Sequence, residues 1–289
     1  MRSRRTDRSQ ANGTPANGRP ASRCPTLGRR RSPLLPLLLA ALMATFTATS
    51  AAAFRPSSRW LLDQAAHGQL RRQVRTLRVQ QEATLYDVPT APRGLVADER
   101  TWFLAPEGMR NEVELPEGPR VHIVTGKRRI VQEQGKAQPA GRGRQSLLTD
   151  PMVVHFLAAG PPIDRAPLTE RLERDLKALK VDLDVVSYGR FDGRVAYIIG
   201  AKPWETDRPQ VWLDKDTLFL LRVVQVEPGA GEGRVLRREL RLLGYGSPEG
   251  GSWFPKVIEE WEGERLVKRS LTREVDKNEP LDKALFEAP

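Results

Sequence analysis

Between Phe54 and Arg75 the apolar positions Leu62, Ala66, Leu70 and Val74 recur every fourth residue, and Leu77 follows three later. That spacing predicts a helix with one apolar face, and Ser57 or Ser58 can cap its start. The period then changes. Leu77, Val79, Ala83 and Leu85 alternate with Arg78, Gln80, Glu82, Thr84 and Tyr86, interrupted only by Gln81 on the apolar side. Alternation of this kind predicts a half-buried strand. Shorter strands are expected at Thr101–Leu104, Arg110–Leu115, Arg120–Val124 and Arg129–Glu133, the last pair joined by the turn Thr125-Gly126-Lys127. Residues 134–145 are rich in Gln, Gly, Lys, Arg and Pro and predict a loop.

The next segment has neither period. Asp150 is placed to cap a helix, Pro151 to begin it, and Gly160 with Pro161 and Pro162 to end it. Within it His155 is the one polar residue, so a helix over 151–159 must be covered by protein or ligand on nearly every side. Leu168, Leu172, Leu176 and Leu179 mark an amphipathic helix. Strands and turns run from there to the end: Val181–Tyr188, Arg194–Gly200, Gln210–Leu213, Leu218–Val226, Val235–Tyr245, Trp253–Trp261 and Arg265–Val275. Sequential hairpins with few helices predict an antiparallel α+β protein, not a parallel α/β sheet.

Charge is unevenly placed. The whole chain has a formal net charge of +11, which brings nucleic acid to mind. Residues 1–53, however, hold nine arginines against the single acid Asp7, and the remainder is nearly balanced, so no nucleic-acid partner is expected. Arg29-Arg30-Arg31, an apolar run from Leu34 to Met43, and Ala51-Ala52-Ala53 have the order of an export signal, with cleavage expected between Ala53 and Phe54. A periplasmic location follows from that reading; an uncleaved inner-membrane anchor is the alternative. Residues 1–53 form a basic leader and 54–289 a single domain. The lone cysteine, Cys24, lies in the leader, leaving the domain without a disulfide or thiolate chemistry.

Candidate chemistry is sparse. His67, His122 and His155 fall on three different elements, without partners at metal-ligand spacing. Gly246-Ser247-Pro248-Glu249-Gly250 is not a nucleophile elbow, and Gly229-Ala230-Gly231-Glu232-Gly233 lacks the spacing of a dinucleotide loop. Asp214-Lys215-Asp216 begins like a calcium loop but lacks its later glycine and glutamate, so a turn is expected. Glu259, Glu260 and Glu262 could pair as carboxylates, but beside Lys256 and Arg265 they read as surface residues. No catalytic, metal or cofactor constellation emerges.

The order of motifs is more specific than any one of them. Trp102-Phe103-Leu104-Ala105-Pro106 and Met109-Arg110-Asn111-Glu112 precede the Val124-Thr125-Gly126-Lys127 hairpin and the apolar Asp-Pro helix. Val211-Trp212-Leu213-Asp214-Lys215-Asp216-Thr217-Leu218, Phe254-Pro255-Lys256-Val257-Ile258 and the closing Val275–Phe286 segment follow. This arrangement resembles the superfamily of periplasmic lipoprotein carriers, the outer-membrane lipoprotein-sorting proteins. The resemblance implies an antiparallel half-barrel of about 10–11 strands wrapped around a few helices, with an apolar cavity. It implies a non-enzymatic monomer that holds lipid acyl chains or lipoproteins, under a lid formed by the apolar helix. Expected cavity and lid residues are Trp102, Leu104, Ile123, Met152, Val153, Phe156 and Leu157. Ala105 stands where the well-known carrier has an arginine that helps latch the lid, so a latch is absent here or supplied by other residues. Relatives on this fold include envelope sensors that grip a membrane protein; a regulatory module is therefore the second reading, and a hydrolase the third.

Overall fold

The computed structural model describes residues 55–104, 108–125, 128–133, 136–138, 146–158, 165–229 and 235–287. The expected leader, the Ala53/Phe54 cleavage site, Ala105 and Gly160 lie outside them.

Among these residues thirteen strands form one antiparallel sheet, more than the 10–11 expected. Strands β1 (Thr76–Leu85), β2 (Leu95–Leu104), β3 (Gly108–Val113), β4 (Arg120–Thr125), β5 (Arg128–Glu133) and β6 (Lys136–Gln138) step outward to one edge. The chain then forms α2 and α3 and re-enters at the opposite edge. From there β7 (Val186–Phe191), β8 (Arg194–Ile199), β9 (Gln210–Asp214), β10 (Leu220–Pro228), β11 (Val235–Leu243), β12 (Val257–Glu262) and β13 (Arg265–Lys277) step back. The last strand pairs with the first: Leu77 faces Lys277 and Leu85 faces Lys268. Two meanders are thus sewn together along β1 and β13, the latter the longest strand among the described residues, into an open half-barrel.

Three helices fill its concave side. Helix α1 (Ser58–Arg72) starts where the Ser57 hydroxyl accepts the Trp60 N–H at 3.2 Å, and stops at Gln73, which is left-handed with φ 51°. Its buried face includes Leu61 and Ala65 beside the expected Leu62 and Ala66, whereas Val74 and Leu77 lie beyond its end. Helix α2 (Pro151–Leu157) begins as the sequence predicts, with Asp150 accepting the Met152 N–H, and ends at Ala158. Helix α3 (Arg165–Ala178) places Leu168, Leu172 and Leu176 fully out of solvent. Together with Val79, Phe103, Met109, Val223, Leu240 and Ile258 from the sheet they form one continuous core.

Some strands differ from expectation for identifiable reasons. Strand β2 starts at Leu95, because Asp98, Glu99 and Arg100 are part of it. Strand β7 starts only at Val186: Lys180 turns left-handed after α3, and the Asp182 carboxylate takes the Asp184 N–H, holding 181–185 in a turn. Strand β12 starts at Val257, because Ser252 at φ 67° and neighbouring glycines make residues 246–254 a chain of turns.

Candidate functional site

Register divides the sheet into two faces. Along β2, Ala97, Glu99, Thr101 and Phe103 point to the concave side, and their partners Val113, Asn111 and Met109 on β3 do likewise. Trp102 and Leu104 therefore point to the convex side. So does Ile123, which stands in one row with Arg110 and Trp102. These three expected cavity residues share a face, but not the one that meets α2. On that face the C-terminal turn Lys283–Phe286 packs against β3 and β4. The Arg110 guanidinium donates to the Leu285 carbonyl at 3.2 Å, Thr125 Oγ1 to the Phe286 carbonyl at 2.9 Å, and the Phe286 ring lies over Gly108. Parity in a strand is lost by a shift of one residue, and Phe103 rather than its neighbours faces the helices.

Met152, Val153, Phe156 and Leu157 are all buried, as is Val154. Helix α2 thus buries five of its seven residues, on nearly every side, packed against α1, α3 and β10. The concave apolar space is occupied by the protein's own side chains. A cleft of about 560 Å³ opens along the start of α2, bordered by Arg129, Asp150, Met152, Leu179, Gln225 and Arg238.

Helix α2 and the 3₁₀ turn before it (Leu147–Thr149) are fastened at three points. Glu260 on β12 accepts the Ser146 hydroxyl at 2.5 Å and the Leu147 N–H at 2.9 Å. Gln225 on β10 donates to Asp150 Oδ2 at 3.0 Å. His155 Nδ1 donates to Asp175 of α3 at 2.5 Å. Burial raises the Asp150 pKa above the usual carboxylate range, against the Met152 N–H and Gln225 that favour its charge. These hydrogen bonds tie residues 146–155 to β10, β12 and α3.

Glu260 is buried, contrary to the surface reading of the Glu259, Glu260 and Glu262 group; Glu259 and Glu262 are half-buried and pair with Arg269 and Arg265. A bulge at Glu260/Trp261 interrupts the β12–β13 register beside it. Glu260 belongs to a polar belt across the concave face. Lys268 Nζ lies 3.1 Å from Glu260 and 2.6 Å from Glu99, and Glu99 also accepts Asn111 Nδ2 at 2.7 Å and the Ser270 hydroxyl at 2.5 Å. Burial opposes ionisation of Glu260, but Lys268 and the Ser146 and Leu147 donors hold its pKa low. Burial likewise disfavours the Lys268 ammonium, and the two glutamates raise its pKa regardless. His122 borders the same belt.

The concave face is thus zoned along the strands: apolar beneath the helices, polar toward Glu99, His122, Lys268 and Arg238. Little in the local pattern betrays this, since Glu99 and Glu260 are acids on buried strand positions and the lysine they share lies 169 residues from Glu99. Among the described residues no three His, Cys, Asp or Glu side chains gather as a metal site, and no helix is long and apolar enough to cross a membrane.

No protein-family model and no curated relative matches the chain. Solved structures are similar in the course of the chain. A LolA superfamily protein of Nitrosomonas europaea is 12% identical, with 81% of this chain and 98% of that one covered and a TM-score of 0.43. An outer membrane lipoprotein-sorting protein domain from Vibrio parahaemolyticus is 10% identical, with 78% and 95% covered and a TM-score of 0.47. MucB, solved in complex with the periplasmic part of MucA, is 12% identical, with 81% of this chain and 60% of that one covered and a TM-score of 0.30.

Proposed function

We propose that residues 54–289 form an exported periplasmic protein, released by cleavage after Ala53, that binds the acyl chains of a lipid or lipoprotein between helix α2 and the concave sheet, as a monomer and without catalysis. The observation that carries this reading is helix α2 itself. Its five buried apolar residues surround a helix of only two turns, and its polar ties, Asp150, His155 and the preceding Ser146–Leu147, sit at its margins. A short element held by a few polar ties over an apolar sheet can swing aside and expose Val223 of β10 and the core beside it to a ligand that replaces its contacts. Each acyl methylene buried there is worth about 0.8 kcal/mol. Two long chains then provide ample affinity even after ordering costs.

Phe156→Glu and Met152→Glu test it. A carboxylate at a permanently closed core position costs several kcal/mol and unfolds or strongly destabilises the domain. On a lid, it favours the open position, leaving the sheet folded and abolishing uptake of a fluorescent fatty acid. We expect folded variants without uptake. Unfolding of both, or uptake equal to the parent, contradicts the proposal.

A further inference from the structure

His122 is 5% exposed, on the concave side of β4, and neither of its ring nitrogens has a hydrogen-bond partner among the described residues. An unpaired buried polar group costs about 1–3 kcal/mol, so an imidazole with both nitrogens idle calls for an explanation. It lines a small cleft of about 70 Å³, several times the ~10–15 Å³ that admits one water. Asn111, Ser146, Glu260, Lys268 and Arg238 share that cleft. Ser146 also begins the segment fastened to Glu260, so the cleft adjoins the start of the lid segment.

The chemistry of the cleft selects its ligand. The charges that act on His122 are two cations, Lys268 and Arg120, and two anions, Glu260 and Glu99. Lys268 is already held between both glutamates, and Arg120 lies 3.1 Å from Glu133. Around the cleft Lys268, Arg120 and Arg238 are matched by Asp87, Glu260 and Glu262, so no surplus positive charge remains for a phosphate or sulfate. Burial, with help from Lys268 and Arg120, lowers the His122 pKa to about 4, so the ring is neutral near pH 7. A neutral imidazole offers one donor and one acceptor, the complement of a hydroxyl group, which also offers both.

We infer that this cleft is a subsite for a neutral, hydroxyl-bearing head group of glycerol type, with His122 giving one hydrogen bond and accepting another. Taken with the lipid reading above, on which this step rests, the zoned concave face fits an amphiphile: acyl chains under α2, head group at His122. A carboxylate or anionic phospholipid head group fits the cleft poorly, because Asp87, Glu260 and Glu262 border it.

The test uses the full chain with its three histidines ¹⁵N-labelled, titrated with glycerol and separately with inorganic phosphate. The His122 nitrogens are expected to shift saturably with glycerol and not with phosphate. His122→Phe, which fills the cleft, should abolish the response at an unchanged or higher melting temperature, and His122→Gln, which keeps a donor and an acceptor, should retain part of it. Competition against a fluorescent fatty acid then compares monooleoylglycerol with methyl oleate. The parent is expected to favour monooleoylglycerol at least tenfold, and His122→Phe to lose that preference while binding methyl oleate as before. No saturable glycerol shift, or an equal response to phosphate, overturns the subsite and leaves water as the cleft's occupant. A glycerol response with no displacement by either lipid leaves the subsite standing and refutes the acyl-binding reading instead.

Discussion

Replacing Glu260 by glutamine should unfasten the lid segment without dismantling the sheet. The carboxylate takes three donors: Ser146 Oγ at 2.5 Å, the Leu147 N–H at 2.9 Å and Lys268 Nζ at 3.1 Å. Hydrogen bonds to a charged group contribute about 1.5–3 kcal/mol each. Glutamine keeps one carbonyl oxygen and turns an NH₂ toward groups that are themselves donors. Breaking a buried ion pair by removing one partner costs about 3–5 kcal/mol. Here Lys268 keeps Glu99 at 2.6 Å, so the loss should fall lower, near 2–3 kcal/mol. At about 1.4 kcal/mol per factor of ten, the opening equilibrium of residues 146–157 should rise roughly 30- to 140-fold. Hydrogen exchange read by mass spectrometry measures this peptide by peptide. Peptides over 147–157 should exchange faster by that factor, while those over β1 and β13 change less. Uptake of a fluorescent fatty acid should accelerate in parallel. Unchanged protection over 147–157, or equal loss over the lid and β1, would refute the latch.

Other outcomes follow from the same geometry. Glu239 is fully buried on β11 beneath Arg222, Arg237 and Arg241; burial opposes its charge, but the three arginines prevail and lower its pKa to about 2. Glu239→Ala leaves three arginines crowded together and should cost about 3–5 kcal/mol in urea unfolding. In acid the two shifted groups act in sequence. The folded-state pKa of His122 is depressed, so the unfolded chain binds the extra proton, and about 3 kcal/mol of stability present above pH 6.5 should be lost as pH falls toward 4. His122→Phe should remove that slope, as seen by thermal melts between pH 7 and 4. The Glu239 contribution, present above its unfolded pKa near 4.5, should fade between that value and pH 2. Gly200→Ala should destabilise by about 2–4 kcal/mol in the same unfolding assay, since φ is +106° and the new methyl would meet the Pro209 carbonyl at 2.5 Å.

Local rules carried far in this chain. The Asp150-Pro151 start of α2, the leucine stripe of α3 and the Asp192-Gly193 hairpin, with both residues left-handed, are decided by neighbours in sequence, and each was legible there. The alternation of β1 survived even at Gln81, which is buried and donates to Thr272 Oγ1 at 3.2 Å. Legibility ended where pairing is distant. The closing of β1 on β13 brings together residues about 190 apart, and no local pattern encodes it. Glu260 read as surface with Glu259 and Glu262 because the groups that hold it, Lys268 across a hairpin and Ser146 at 114 residues' distance, are outside its local pattern. Of the expected site residues, Met152, Val153, Phe156 and Leu157 lie together on α2. Trp102, Leu104 and Ile123 fall on the convex face, because hydrophobicity on both sides of β2 and β4 left their parity open. The C-terminal turn packs on that face against β3 and β4.

Native mass spectrometry of the exported protein, purified from its own cell envelope and sprayed intact, tests the central claim most directly. The account predicts a population heavier than the processed chain by the mass of a neutral acyl lipid or a lipoprotein, lost when the same preparation is made from Phe156→Glu. A parent protein that carries no such mass, and takes up none when incubated with monooleoylglycerol, would contradict it.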